Sequence, residues 1–208
     1  MLVTDDQLVR GRDLVQLALS AERAGISSLQ LRSKEKPARE MADLVRALVA
    51  RLEVPVLVND RPDIALAAGA AGVHLGPDDL PVDLARRIVP ADFVIGASVG
   101  SEAEARTAGQ ADYWGIGPWR ATTTKHDAGA GLGPEGFHRL AQLAGERPCL
   151  AIGGVLPDDV PEVLRSGGWG VAVVSGILAT EEIETATRRY VQAGLTAPSP
   201  RPPAAPPF

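Results

Sequence analysis

The sequence predicts an α/β protein in which eight parallel strands alternate with eight helices, the pattern of a single-domain (β/α)8 TIM barrel. Three observations lead there. Short apolar runs rich in β-branched residues recur along the chain, each is followed by a segment with helical spacing, and the runs are apolar at nearly every position. Alternation of strand and helix implies parallel pairing through crossover helices, and near-continuous apolarity implies burial on both sheet faces. At 208 residues the chain is near the short end for a closed barrel, and a doubly wound open sheet is the main alternative.

The first strand, Leu2–Thr4, precedes a helix over 12–24. Ser28–Arg32 is followed by a helix over 37–52, marked by Pro37, because proline's fixed φ suits a first helical turn where its missing N–H has no partner in any case. Val56–Asn59 leads to a helix over 62–69, and Gly72–Leu75 to one over 81–89. Val94–Ser98 precedes a helix over 101–109, where the Ser101 hydroxyl can accept from a first-turn N–H. Tyr113–Gly117, Cys149–Gly153 and Gly170–Val174 complete the strands, with helices over 134–145, 157–167 and 181–193, two of them opened by Pro134 and Pro157. The barrel domain is expected over 1–196. Residues 197–208 hold six of the 17 prolines, cannot continue a helix or strand, and are expected to be disordered.

With 45% hydrophobic and 23% charged residues, the composition suits one domain with a full core. No apolar stretch approaches a membrane span, and Met-Leu-Val-Thr-Asp-Asp carries acids where a signal peptide needs a basic region, so a cytoplasmic protein is expected. A net charge of −5 without a basic cluster argues against nucleic-acid partners and leaves small molecules. The single Cys149 reads as a packed strand residue. Only three of the 21 cationic residues are Lys, at 34, 36 and 125, which suggests positions where a point charge on a flexible stem suits better than a planar fork.

Polar residues gather where the strands end. Gln30, Arg32 and Lys34 alternate along one side of the second strand's end, Asn59 and Asp60 end the third, and Asp78 and Asp79 follow the fourth. Ser98 ends the fifth strand, Thr122, Thr124 and Lys125 follow the sixth, Gly153 and Gly154 end the seventh, and Val174 and Ser175 end the eighth. Barrel enzymes build their active sites on that face. Arg32, Lys34 and Lys125 offer cations to a pyrophosphate, and Asp60 with Asp79 offers the hard oxygens that Mg2+ takes when it bridges carboxylates and substrate phosphate. Backbone N–H groups around Gly153, Gly154, Val174 and Ser175 suit a second anion, so two phosphorylated substrates are implied.

In order, Gln30-x-Arg32-x-Lys34, Asn59-Asp60, the run Gly72 to Asp79, Gly96-x-Ser98, Asp112 to Pro118, Thr122-x-Thr124-Lys125, Ile152-Gly153-Gly154 and Val174-Ser175 resemble the motifs of the thiamine phosphate synthase family over about residues 2–180. The resemblance implies a Mg2+-dependent barrel transferase that joins a pyrimidine pyrophosphate to a thiazole phosphate. It implies that Arg32, Lys34, Asn59 and Lys125 hold the departing pyrophosphate and that Asp60 and Asp79 bind the metal. It further implies that Gln30 and Ser98 address the pyrimidine, that Thr122 and Thr124 face the thiazole, and that Gly154, Val174 and Ser175 hold the thiazole's phosphate. The chain departs from the family at Val99-Gly100, where a histidine is common, and at Trp119-Arg120-Ala121, which leaves Arg120 either as a further cation of the site or facing solvent. A thiazole tautomerase-like relative and a non-catalytic phosphate-binding barrel are the competing readings, and neither needs a complete metal and pyrophosphate site. His74 reads as a structural histidine, Asp78 as an alternative to Asp79, Asp5 and Asp6 as caps of the first turn or solvated acids, and loop 117–133 as a candidate lid.

Overall fold

Strands joined in parallel need long crossovers, and here each crossover carries a helix. The computed structural model describes residues 1–121 and 131–196. Strands β1 (Leu2–Val3), β2 (Leu29–Leu31), β3 (Val56–Asn59), β4 (Gly72–Leu75), β5 (Val94–Val99), β6 (Tyr113–Ile116), β7 (Cys149–Ile152) and β8 (Gly170–Ala172) pair in parallel, in chain order. The ring then closes. The Val3 N–H donates to the Val173 carbonyl at 2.9 Å and the Val173 N–H donates to the Met1 carbonyl at 3.1 Å, so no strand edge is left and the open sheet is excluded.

Around the ring lie α1 (Leu14–Arg23), α2 (Ala38–Val49), α3 (Pro62–Ala67), α4 (Val82–Ile88), α5 (Glu102–Thr107), α6 (Gly133–Leu143), α7 (Val160–Arg165), α8 (Ser175–Leu178) and α9 (Ile183–Leu195). The expected Ser101 cap accepts the Glu104 N–H at 3.3 Å. Pro37 sits at the cap of α2 and Pro134 in the first turn of α6. Pro157 opens a 3-10 turn, Pro157–Asp159, which delays α7 to Val160. Asp13, not foreseen as a cap, accepts the N–H groups of Val15 and Gln16 at 3.0 and 3.2 Å. The short α8 is an addition to the eight expected helices, and one turn is too brief to show a 3.6-residue period. No described helix is long and apolar enough to cross a membrane.

Strand alternation sorts the side chains into two cores. Leu29, Leu31, Val58, Val73, Leu75, Ile95, Trp114, Ile116 and Cys149 face outward and pack with the helices. Burial of each large member contributes about 1.5–3 kcal/mol. Leu57, Val94 and Tyr113 point the other way and form a small separate cluster with Met1 and Leu150 inside the barrel. Above it the interior is polar, with Gln30 and His74 both buried. Room for the Tyr113 ring comes from Gly96 on the neighbouring strand, where any Cβ would overlap that ring. Gly96→Ala should therefore cost about 1–3 kcal/mol of stability by overpacking. An unchanged urea midpoint for this variant would show that the ring can move aside.

Candidate active site

Arg32 and Lys34 owe their positions to the loop after β1. The buried Thr4 hydroxyl donates to the Arg32 carbonyl at 2.9 Å and accepts the Arg32 N–H at 2.8 Å, which locks the end of β2 against the end of β1. Asp5 accepts from the Arg32 guanidinium at 3.3 Å. Asp6 accepts from the Ser33 hydroxyl at 2.7 Å and from the Lys34 and Glu35 N–H groups at 2.6 and 3.1 Å. Burial opposes ionisation of Asp6, but these donors prevail and hold its carboxyl below the usual range. Asp5 and Asp6 are thus supports of the cationic loop as well as turn acceptors.

Asp60 follows β3 with φ +66°, a left-handed conformation that costs a non-glycine residue roughly 1–3 kcal/mol and clusters at functional sites. Its N–H donates to the His74 carbonyl at 2.8 Å, and the next N–H, of Arg61, donates back to the Asn59 carbonyl at 2.9 Å, which fixes the turn. The Asp60 carboxylate accepts from the Lys34 ammonium at 2.7 Å and meets the Asp79 carboxyl directly. Asp79 also accepts the Gly76 N–H at 2.6 Å.

Two carboxyls at one point share the cost of charge unequally. Burial works against ionising Asp60, but hydrogen bonds from Asp79 and Lys34 and the charges of Lys34 and Arg32 outweigh it, so its pKa is lowered. Burial raises the pKa of Asp79, and the hydrogen bond with Asp60 and that group's charge raise it further, against the Gly76 N–H and Lys34. A divalent cation between the two would relieve this. Among the described residues no group of three or more His, Cys, Asp or Glu side chains could hold a metal, so a cation here would take its other oxygens from water and ligand.

A polar chain crosses the barrel interior beneath this pair. Tyr113 Oη lies 2.9 Å from His74 Nδ1, and His74 Nε2 lies 3.0 Å from Ser98 Oγ. Gln30 bonds to the Tyr113 hydroxyl from the other side. His74 is buried, as a structural histidine would be, yet it touches a candidate site residue directly. The inward alternation of Gly72 and His74 along β4 was the available signal. Asn59 pairs with His74 in register at the strand end and is half-buried.

On the opposite side, the loops after β6 and β7 are bound together. The Trp119 N–H donates to the Ile152 carbonyl at 2.8 Å and the Arg120 N–H to the Gly153 carbonyl at 2.9 Å. The Arg120 guanidinium forks onto the Asp159 carboxylate, which in turn accepts the Leu156 N–H at 2.8 Å. Arg120 is therefore an exposed side chain that also clasps two loops together through Asp159. Trp119 is buried edge-on against Phe137 and anchors the same loop to α6. Gly153 and Gly154 have φ of 87° and 69°, and a Cβ at Gly154 would press on Arg120 at 3.0 Å. Val174 and Ser175 begin α8, whose first N–H groups have no intrahelical acceptors. Tyr190 of α9 donates to the Val155 carbonyl at 3.0 Å and fills the space that a Cβ on Gly176 would need, so one side chain props both halves of this cradle. Thr122, Thr124 and Lys125, like the tail over 197–208, lie outside the described residues.

The sequence model of the thiamine monophosphate synthase family matches residues 1–177. The chain belongs to that family. It is 42% identical over 192 residues to thiamine-phosphate synthase of Azorhizobium caulinodans and 45% identical over 195 residues to that of Methanoculleus marisnigri, covering 90% of both partners in each case. The solved thiamine phosphate pyrophosphorylase of Pyrococcus furiosus superposes with a TM-score of 0.83 at 35% identity, over 93% of this chain and 94% of that one. Membership makes the chain a transferase of thiamine biosynthesis.

The Asp60–Asp79 contact has a measurable consequence for the ligand-free protein. A raised folded pKa means that ionised Asp79 weakens the fold above that pKa and ceases to do so below the ordinary Asp range. Asp79→Asn, which keeps an acceptor for Gly76, is expected to raise the thermal midpoint at pH 7, with the gain fading as pH falls toward 3. A midpoint lower than wild type at pH 7 would mean that the two carboxyls do not oppose one another.

Proposed function

We propose that the chain condenses 4-amino-5-hydroxymethyl-2-methylpyrimidine pyrophosphate with 4-methyl-5-hydroxyethylthiazole phosphate to give thiamine phosphate and pyrophosphate. The observation that carries this reading is the meeting of Asp60, Asp79 and Lys34 beside Arg32 on the strand-end rim of a barrel of this family. A tautomerase or a phosphate sensor would need no such cluster.

In this reading Asp60 and Asp79 would hold Mg2+, and the fit is that of two hard, mutually repelling carboxylates. When bound, the ion supplies positive charge to the leaving pyrophosphate. Arg32, Lys34, Asn59 and Lys125 bind the same group as the carbon–oxygen bond breaks and its electron pair departs with pyrophosphate. Gln30 and Ser98 orient the pyrimidine, whose ring delocalises the charge left on the methylene carbon. Thr122 and Thr124 face the thiazole, whose nitrogen lone pair closes the new carbon–nitrogen bond. Gly153, Gly154, Val174 and Ser175 hold the second phosphate through backbone N–H groups, which sets the nitrogen on the open face of the cation. No side chain acts as a nucleophile, and rate comes from fixed charges and excluded water.

The direct test is incubation with both phosphorylated substrates and Mg2+, with thiamine phosphate and pyrophosphate measured together. Absence of product would end the proposal. Asp60→Ala is expected to abolish most turnover without unfolding the barrel, and full activity in excess chelator would remove the metal from the scheme. Lys125→Ala should lower kcat about a hundredfold, because a preorganised group facing developing charge is worth roughly 2–4 kcal/mol. A normal kcat at saturating substrates would leave Arg32 and Lys34 to carry the leaving group. Gly154→Val is predicted to raise the KM for the thiazole phosphate more than that for the pyrimidine pyrophosphate. Equal increases would show that the second anion site lies elsewhere.

A further inference from the structure

We propose that Tyr113 and His74 form a buried hydrogen-bond relay that fixes the Ser98 hydroxyl as a donor toward the pyrimidine, making both of them positioning residues for substrate recognition. This rests on the reading of Ser98 as a pyrimidine contact.

The polarity of the relay follows from what each group can give. In this relay the Gln30 amide N–H donates to Tyr113 Oη, to which the Gln30 side chain is hydrogen-bonded. The Tyr113 O–H is then left for His74 Nδ1, 2.9 Å away. Burial raises the phenol's pKa far above neutrality, so that proton stays in place. A neutral imidazole whose Nδ1 accepts carries its proton on Nε2, and Nε2–H therefore donates to Ser98 Oγ at 3.0 Å. With an oxygen lone pair already engaged, the Ser98 hydrogen turns away from His74. Ser98 is half-buried at the end of β5, so its hydrogen is available at the rim to an acceptor such as a ring nitrogen.

The relay is built into the barrel and is not an accident of side-chain packing. Four strands contribute one member each, β2, β4, β5 and β6, all from inward positions. Two inward glycines make room for the rings. A Cβ on Gly96 would overlap Tyr113, and one on Gly115 would lie 3.1 Å from His74 Cε1. The rings sit 5.4 Å apart and tilted by 36°, so that they meet through the Tyr113 hydroxyl rather than by stacking.

The relay is tested without substrate by 15N NMR of the imidazoles in the full chain, with His74 assigned through its loss in His74→Gln. The expected result is a neutral ring protonated on Nε2 whose bare Nδ1 resonance moves downfield in Tyr113→Phe as that nitrogen loses its donor. A wild-type ring protonated on Nδ1 would overturn the relay. In turnover, Tyr113→Phe is expected to raise the KM for the pyrimidine pyrophosphate about tenfold, the worth of one hydrogen bond, with the thiazole phosphate KM unchanged. The same change in a Ser98→Ala background should have no further effect, whereas simple loss of packing would add in full and overturn the proposal. His74→Gln, whose amide can still donate to Ser98, should keep more pyrimidine affinity than His74→Leu, and equal losses would count against the relay. The NMR result does not depend on the reaction, so a wild-type enzyme that makes no thiamine phosphate overturns the proposed function alone.

Discussion

A parallel sheet that closes on itself presents all its strand C-termini on one rim, and every feature of the site depends on that geometry. The bonds between Val3, Val173 and Met1 complete the ring. With β8 beside β1, the backbone at Val174 and Ser175 belongs to the same rim as Thr4, Arg32 and Lys34, although about 140 to 170 residues separate them in sequence. An open sheet of the same strands would leave these groups at opposite edges.

The two ends of the rim solve different electrostatic problems. Near β2 to β4, side-chain charges of both signs are crowded together, and Asp6, Thr4 and the turn at Asp60 hold them in place at a cost that a bound cation and anion would repay. Near β7 and β8 the groups proposed to bind an anion are backbone N–H groups, which carry no net charge, need no counterion and are placed by glycine conformations and by Tyr190. The first arrangement suits a group whose charge grows during reaction, and the second suits one that only needs to be held.

The strands were legible because burial on both faces leaves an apolar run along the sequence, and their ends then pointed to Asp60, Asp79, Ser98 and Gly154 as candidates. The support beneath them was hidden. Asp159 lies 39 residues from Arg120, and no local pattern in either segment announces their pairing. Asp6 looks like any acidic turn residue until three donors are seen to converge on it. His74 was readable as buried, but its contact with Ser98 crosses from β4 to β5 and follows only from inward alternation and strand register. Local sequence reports which side chains a strand end carries; partners across the rim appear only with the ring.

Closure of this ring has a consequence for biogenesis. The Met1 amine bonds to the Val171 carbonyl 170 residues away, and β1 has its second neighbour only when β8 exists. At ribosomal speeds of about 5–20 residues per second, the first strand waits on the order of ten seconds or more for that partner. During this interval both edges of the growing sheet offer unpaired N–H and carbonyl groups to any other strand nearby. β1 is only two residues long, which gives the waiting edge little surface for a wrong partner to hold.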